Sequence, residues 1–132
     1  MTRSKVFISF DYDHDRSVKE GLVAQSKDPK CPFDFVDHSI KERLSEPWVA
    51  EARKLIAASD YVAILCGVQT HQAKGQHIEL QLAKELRKPY FLLRASRQRP
   101  ATRPSSAAPD EVMYPATWPT VAALLRGERP NV

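Results

Sequence analysis

The run Tyr61-Val62-Ala63-Ile64-Leu65-Cys66 is apolar without interruption, the pattern of a strand covered on both faces. It predicts the central strand of a sheet with helices above and below. Lys5-Val6-Phe7-Ile8-Ser9-Phe10, Pro32-Phe33-Asp34-Phe35-Val36-Asp37 and Pro89-Tyr90-Phe91-Leu92-Leu93 read as further strands. Between the first two, Ser17 to Gln25 carries Val18, Leu22 and Val23 at helical spacing, and Asp28-Pro29 stops it. Trp48, Ala52, Leu55 and Ile56 mark a second helix, signalled by Ser45 and Pro47 and ending near Ser59. A third spans Gly75 to Leu86, where Ile78, Leu82 and Leu86 recur every four residues as an inward face should. The alternation of strand and helix predicts an α/β fold with a parallel sheet, right-handed crossovers and helices on both faces.

Beyond the fourth strand, residues 94–111 are rich in Pro and Arg. A loop of this length is expected to be mobile or functional, with Arg97, Arg99 and Arg103 solvated. Val112-Met113-Tyr114 follows as a short edge strand, and Thr117 to Arg126 as a last helix, with Val121, Leu124 and Leu125 inward and Gly127 as terminator. No internal repeat is present. With 132 residues the whole chain, 1–132, is expected to form one domain.

Charge narrows the partners. The net charge of +4 is a property of the C-terminal part: residues 1–93 hold 14 basic and 13 acidic side chains, whereas residues 94–132 hold six arginines and three acids. Arg94, Arg97, Arg99 and Arg103 have no interleaved aromatics, which argues against a nucleic-acid surface. No apolar run approaches the roughly 20 residues of a membrane span, and the start of the chain lacks a signal-peptide core. Cys31 and Cys66 have no paired spacing and are expected as reduced thiols. A cytoplasmic protein without membrane contact is expected.

In a doubly wound sheet ligands bind outside the carboxyl ends of the strands. Here those ends are Ser9-Phe10-Asp11, Asp37-His38-Ser39 and Gly67-Val68-Gln69-Thr70. The turn Asp11-Tyr12-Asp13-His14-Asp15 excludes a dinucleotide fingerprint and a nucleoside-triphosphate loop, both of which need glycines there. Cys66 and Gly67 stand where a phosphoacceptor receiver needs an aspartate. Glu79 lies about 100° of arc from Ile78, so a half-buried carboxylate is expected beside the cleft, near the start of its helix.

Four pieces in order carry a family resemblance: Lys5 to Phe10; Phe33-Asp34-Phe35-Val36-Asp37; Ser59 to Leu65 with Gly67-Val68-Gln69-Thr70; and Ile78-Glu79-Leu80 ahead of Lys88-Pro89. Together they resemble the bacterial TIR-like domains that act as sensor enzymes in Thoeris anti-phage systems. The resemblance covers roughly residues 4–93. It implies a flavodoxin-like sheet of four to five strands, cleavage of NAD+ at the nicotinamide–ribose bond, and Glu79 as the catalytic glutamate. NAD+ is then substrate, with no cofactor and no metal. Self-association through TIR-type contacts and a nucleotide-sensing effector downstream are the partners it implies. Gln76-His77 replaces the aromatic-Cys pair of many TIR enzymes, and the loop from His38 to Glu46 is charged.

Substrate contacts are expected from Phe10, Asp11, Asp37, Ser39, Gln69, Thr70, Gln76 and Arg94. Plainer roles stand beside these. Phe10 is a core residue or a stacking platform; Asp11 is a turn residue, a ribose contact or part of a metal cluster with Asp13 and Asp15. Asp37 and Ser39 serve as loop caps or contacts, Arg94 as a pyrophosphate clamp, Cys66 and Trp48 as packing, and the four histidines as solvated side chains. Ordinary glycosides need two carboxyl groups. Nicotinamide leaves a cationic pyridinium as a neutral molecule, so one carboxylate facing the oxocarbenium-like centre suffices. A docking module using residues 38–47, and a metal-dependent nuclease or phosphatase, are the alternatives.

Overall fold

The computed structural model describes residues 4–36, 46–96 and 98–130. Strands β1 (Ser4–Ser9), β2 (Phe33–Val36), β3 (Tyr61–Cys66), β4 (Tyr90–Arg94) and β5 (Met113–Pro115) form a sheet in the order β2-β1-β3-β4-β5. Every pairing is parallel. Helices α1 (Arg16–Gln25), α2 (Glu46–Ala57), α3 (Lys74–Glu85) and α4 (Trp118–Leu125) alternate with the strands, and a 3-10 turn, Thr70–Gln72, precedes α3. The fold is α/β and flavodoxin-like. None of its helices is long and apolar enough to cross a membrane, among the described residues.

Strand parity divides the core. Val6, Ile8, Ala63, Leu65 and Leu93 pack with Leu22 of α1 and Val121, Ala122 and Leu124 of α4. Phe7, Val62, Ile64, Cys66 and Leu92 pack with Trp48, Ala52 and Ile56 of α2 and Leu80, Leu82 and Ala83 of α3. Successive residues of β3 feed both layers in turn, so its sequence has no polar position. Burial pushes the Cys66 thiol up to about 12, and both cysteines are buried free thiols.

Two helix ends are closed by the same device. In α4 the Glu128 N–H donates to Ala123 O at 3.0 Å and the Gly127 N–H to Leu124 O at 3.0 Å, with Gly127 at φ 85°. In α3 the Lys88 N–H reaches Ala83 O at 2.9 Å and the Arg87 N–H reaches Lys84 O at 3.1 Å, but the left-handed residue is Arg87, at φ 56°. These are the paired bonds of a Schellman motif.

Two expectations need correction. The buried face of α3 is Gln76, Glu79, Leu80, Leu82 and Ala83; Ile78 and Leu86 are only partly buried and pack at its flank. Glu79 therefore sits on the inward face and is buried, not half-buried, at 4% exposure. The second correction concerns residues 94–111, expected as a solvated loop. This segment stands in for a crossover helix between β4 and the parallel β5, and it packs on the α2/α3 layer through Ala101 and Ala107. Thr102 N–H and Oγ donate to Gly67 O at 2.9 and 3.1 Å, and Lys84 Nζ donates to Ser106 O. It is a strap held down at both the sheet and α3.

Candidate functional site at the strand switch point

The connection from β1 leads outward to β2, and the connection from β2 returns across β1 to β3. The crevice at the carboxyl ends of β1 and β3 is thus the topological switch point of the sheet. Parity sends Ser9, two residues after Phe7, to the α3 side. There its Oγ donates to Glu79 Oε1 at 2.7 Å, in a setting where Ser9 is fully buried. Gln76, one helical turn earlier, lies beneath both strands: its Nε2 donates to Leu65 O at 2.8 Å and Ser9 O at 3.3 Å. Two carbonyl acceptors fix which end of that amide is nitrogen, and its Oε1 has no partner.

On the α1 side, Phe10 is partly buried against the core, with Lys19 Nζ 4.9 Å from its ring centre. Asp11 is buried, but its oxygens are engaged locally. Oδ1 accepts from the Asp13 N–H at 3.2 Å, Oδ2 lies 2.7 Å from His14 Nδ1, and the backbone carbonyl accepts from Asp15 N–H at 2.8 Å. Asp15, which the sequence offers only as a member of a metal cluster, takes a different place here. It occupies the N-cap of α1, yet its side chain makes no capping bond. The carboxylate instead lies against Gly67 at the end of β3, so close that a Cβ there would meet Oδ2 at 2.2 Å.

Asp15 is 7% exposed, and Oδ2 has no hydrogen-bond partner. Burial is the main cause of its raised pKa, helped by the Asp11 carboxylate and opposed by His14 and Arg99. Among the described residues, Asp15 Oδ2 and Gln76 Oε1 are the two buried side-chain polar atoms without a partner. Both belong to residues at the switch point. Buried polar atoms are satisfied in the great majority of cases, and exceptions gather where a fold serves something besides stability.

The remaining predicted residues fall as follows. Thr70 is buried and supports the β3 end, its Oγ1 accepting from Gly67 N–H at 2.8 Å; Gln69 is the residue before the 3-10 turn and is partly buried. Arg94 ends β4 and donates to Ser96 O at 3.1 Å and Arg99 O at 3.3 Å, so two of its donors hold the strap. Asp37 and Ser39 lie outside the described residues. The fold thus brings Ser9, Phe10, Asp11, Asp15, Gly67, Thr70, Gln76 and Glu79 to one end of the sheet. No group of three or more His, Cys, Asp or Glu is arranged to hold a metal ion, among the described residues.

A cavity of about 310 Å³ opens at the opposite end, beside Tyr61, Tyr90, Glu111, Tyr114 and Arg129. Size favours it as a ligand site. Two of its polar groups are paired with each other, however, the Tyr90 hydroxyl donating to Glu111 at 2.6 Å, and it lies at the amino ends of β3 and β4. The unpartnered atoms and the switch-point rule both place the candidate site at the carboxyl ends. No family model and no curated protein matches the chain.

Proposed function

We propose that the chain is a TIR-like enzyme that cleaves NAD+ at the nicotinamide–ribose bond, working in the cytoplasm to produce a nucleotide signal in anti-phage defence. The observation that carries this reading is the buried Glu79 carboxylate, held by Ser9 Oγ at 2.7 Å at the switch point of the sheet. An acid on the inward face of a helix is costly unless it is paired and hydrogen-bonded. Its surroundings are those that make a fixed negative charge effective, with little water to screen it. In the reaction the C1′–N bond breaks, its electron pair goes to the nicotinamide nitrogen, and positive charge spreads over C1′ and the ring oxygen. Attack by water gives ADP-ribose and a proton; attack by a nucleophile of the same molecule gives a cyclic product. A nucleotide-sensing effector then reads the signal, and self-association through TIR-type contacts assembles the active form.

One observation favours a second reading. Glu79 is 4% exposed and already bonded to Ser9, which is also what a carboxylate stitching α3 to β1 in a non-catalytic docking module would look like. Glu79→Gln separates the two, because it keeps volume and an acceptor for Ser9 while removing charge. Purified protein at high concentration is incubated with NAD+, and nicotinamide is measured by chromatography and mass spectrometry. The enzyme reading expects nicotinamide from the wild type and a rate about 100- to 1000-fold lower from the variant at an unchanged melting temperature. Equal turnover by both proteins, or none by the wild type, sinks it.

A further inference from the structure

Asp15 stands at the N-cap of α1 with its backbone at φ -118° and ψ 13°, and its side chain does not fill the role that position offers. An aspartate at an N-cap ordinarily accepts from the second or third N–H of the helix, an interaction whose loss costs about 0.5–2 kcal/mol. Here no such bond forms. The carboxylate is turned across the β1/β3 crevice onto Gly67, where only a residue without Cβ leaves room. The result is a carboxylate oxygen that is buried, unpartnered and placed at the ligand-binding end of the sheet. The Asp11 oxygens beside it are occupied by Asp13 N–H and the His14 ring. Of the two buried carboxylates of this turn, Asp15 is the one with an oxygen that no hydrogen bond engages.

We propose that Asp15 is a ligand-binding residue whose Oδ2 accepts a hydrogen bond from a hydroxyl of a ribose vicinal diol in the crevice. The assignment rests on the NAD+ reading for its choice of ribose. A phosphate is the wrong partner, since Asp11 already crowds Asp15 with like charge. A neutral donor suffices because Arg99, on the strap, already supplies positive charge in this field. The strap is bonded to Gly67 through Thr102, and so lies against the residue on which Asp15 rests.

The test uses binding, so that it does not depend on turnover. ADP-ribose and analogues lacking the hydroxyls of either ribose are titrated into wild-type protein, Asp15→Asn and Asp15→Ala by calorimetry. Wild type is expected to bind ADP-ribose about 10- to 100-fold more tightly than either variant, the scale of a hydrogen bond to a charged group. One of the deoxy analogues should bind all three proteins alike and so identify the ribose. Equal affinity of wild type and variants for ADP-ribose overturns the proposal, as does absence of ADP-ribose binding to the wild type. Should both variants fail to fold, the wild type alone decides: indifference to loss of either diol overturns it. The NAD+ reading fails separately, when wild type binds ADP-ribose through Asp15 but releases no nicotinamide from NAD+.

Discussion

Gly67→Ala tests the seating of Asp15 without reference to any ligand. The new Cβ would stand 2.2 Å from Oδ2, 2.5 Å from Oδ1 and 2.6 Å from Cγ of Asp15. Ordinary carbon contacts lie at about 3.5–4.0 Å, so the entire carboxyl group is displaced; a small tilt does not relieve three contacts at once. Overpacking of this kind costs about 1–3 kcal/mol. A partial offset is at hand, because the displaced carboxylate can turn to cap α1, and capping contributes about 1 kcal/mol. An Asp15→Ala background removes the three atoms nearest to the new methyl. Gly67 has no positive φ, so alanine there should stabilise by about 0.4–1 kcal/mol through the unfolded chain. The sign of the Gly67→Ala effect is thus expected to reverse between the two backgrounds, a coupling on the order of 1–4 kcal/mol. Urea unfolding of the four proteins of the cycle measures it. A coupling below about 0.5 kcal/mol, the ordinary error of additivity, would mean that Asp15 does not rest on Gly67.

Two further outcomes are expected. Arg87→Gly should raise stability by about 0.5–1 kcal/mol, since a left-handed L-residue costs about 1–2 kcal/mol and glycine returns part of that as unfolded-state entropy; thermal melting checks it, and an unchanged or lowered melting temperature refutes it. Asp15→Asn should be more stable than wild type at pH 7. The raised pKa means that the folded state disfavours the ionised carboxylate, so the penalty is absent below the ordinary value near 3.8 and grows as pH rises through the folded-state value. Paired melts at pH 7 and pH 3.5 should show the advantage shrinking in acid, and a gap independent of pH would contradict the assignment.

Much of the fold could be read from hydrophobic pattern because each element has one dominant period. The unbroken β3 run, the turn-bounded β1 and β4, and the Gly127 terminator all fall within a residue or two of where the sequence puts them. The α3 face departs from its apolar pattern because leucine and isoleucine alone do not define the inward arc, which is centred on Gln76, Glu79, Leu80 and Ala83. Polar residues on an inward face cannot announce their own burial in a hydrophobicity pattern. The strap escapes the pattern for a related reason. It is held by backbone acceptors and by small apolar side chains such as Ala101 and Ala107, and these have no periodicity to detect. Asp15 is legible in the sequence only as one of three alternating acids in a turn, and its seat against Gly67 is a tertiary contact that no local pattern encodes. Gly67 was the available signal, a lone glycine after an apolar strand, where a neighbour's close approach is a standing explanation.

Charge in the crevice bears on which part of a dinucleotide it could accept. Asp11, Asp15 and Glu79 bring three buried carboxyl groups to the ends of β1 and β3, while the arginines that offset them belong to the strap, with Arg94 committed to its carbonyls and Arg103 Nε donating to Glu111 O at 2.7 Å. A pyrophosphate among those carboxylates would meet repulsion in a poorly screened site. A hydroxyl-rich sugar bearing a cationic ring meets the reverse: donors for the acids, and a positive charge that, on the proposed reading, passes from the ring to the sugar as the bond breaks. The same distribution disfavours a phosphate-first reading of the crevice, in which basic side chains or bare N–H groups would face the ligand. It leaves the strap arginines as the nearest place for phosphate charge. On the proposed reading, loss of Arg99 should weaken binding of ADP-ribose more than binding of the nucleoside that carries the ribose held by Asp15, whereas loss of Asp15 should weaken both, as calorimetry would measure.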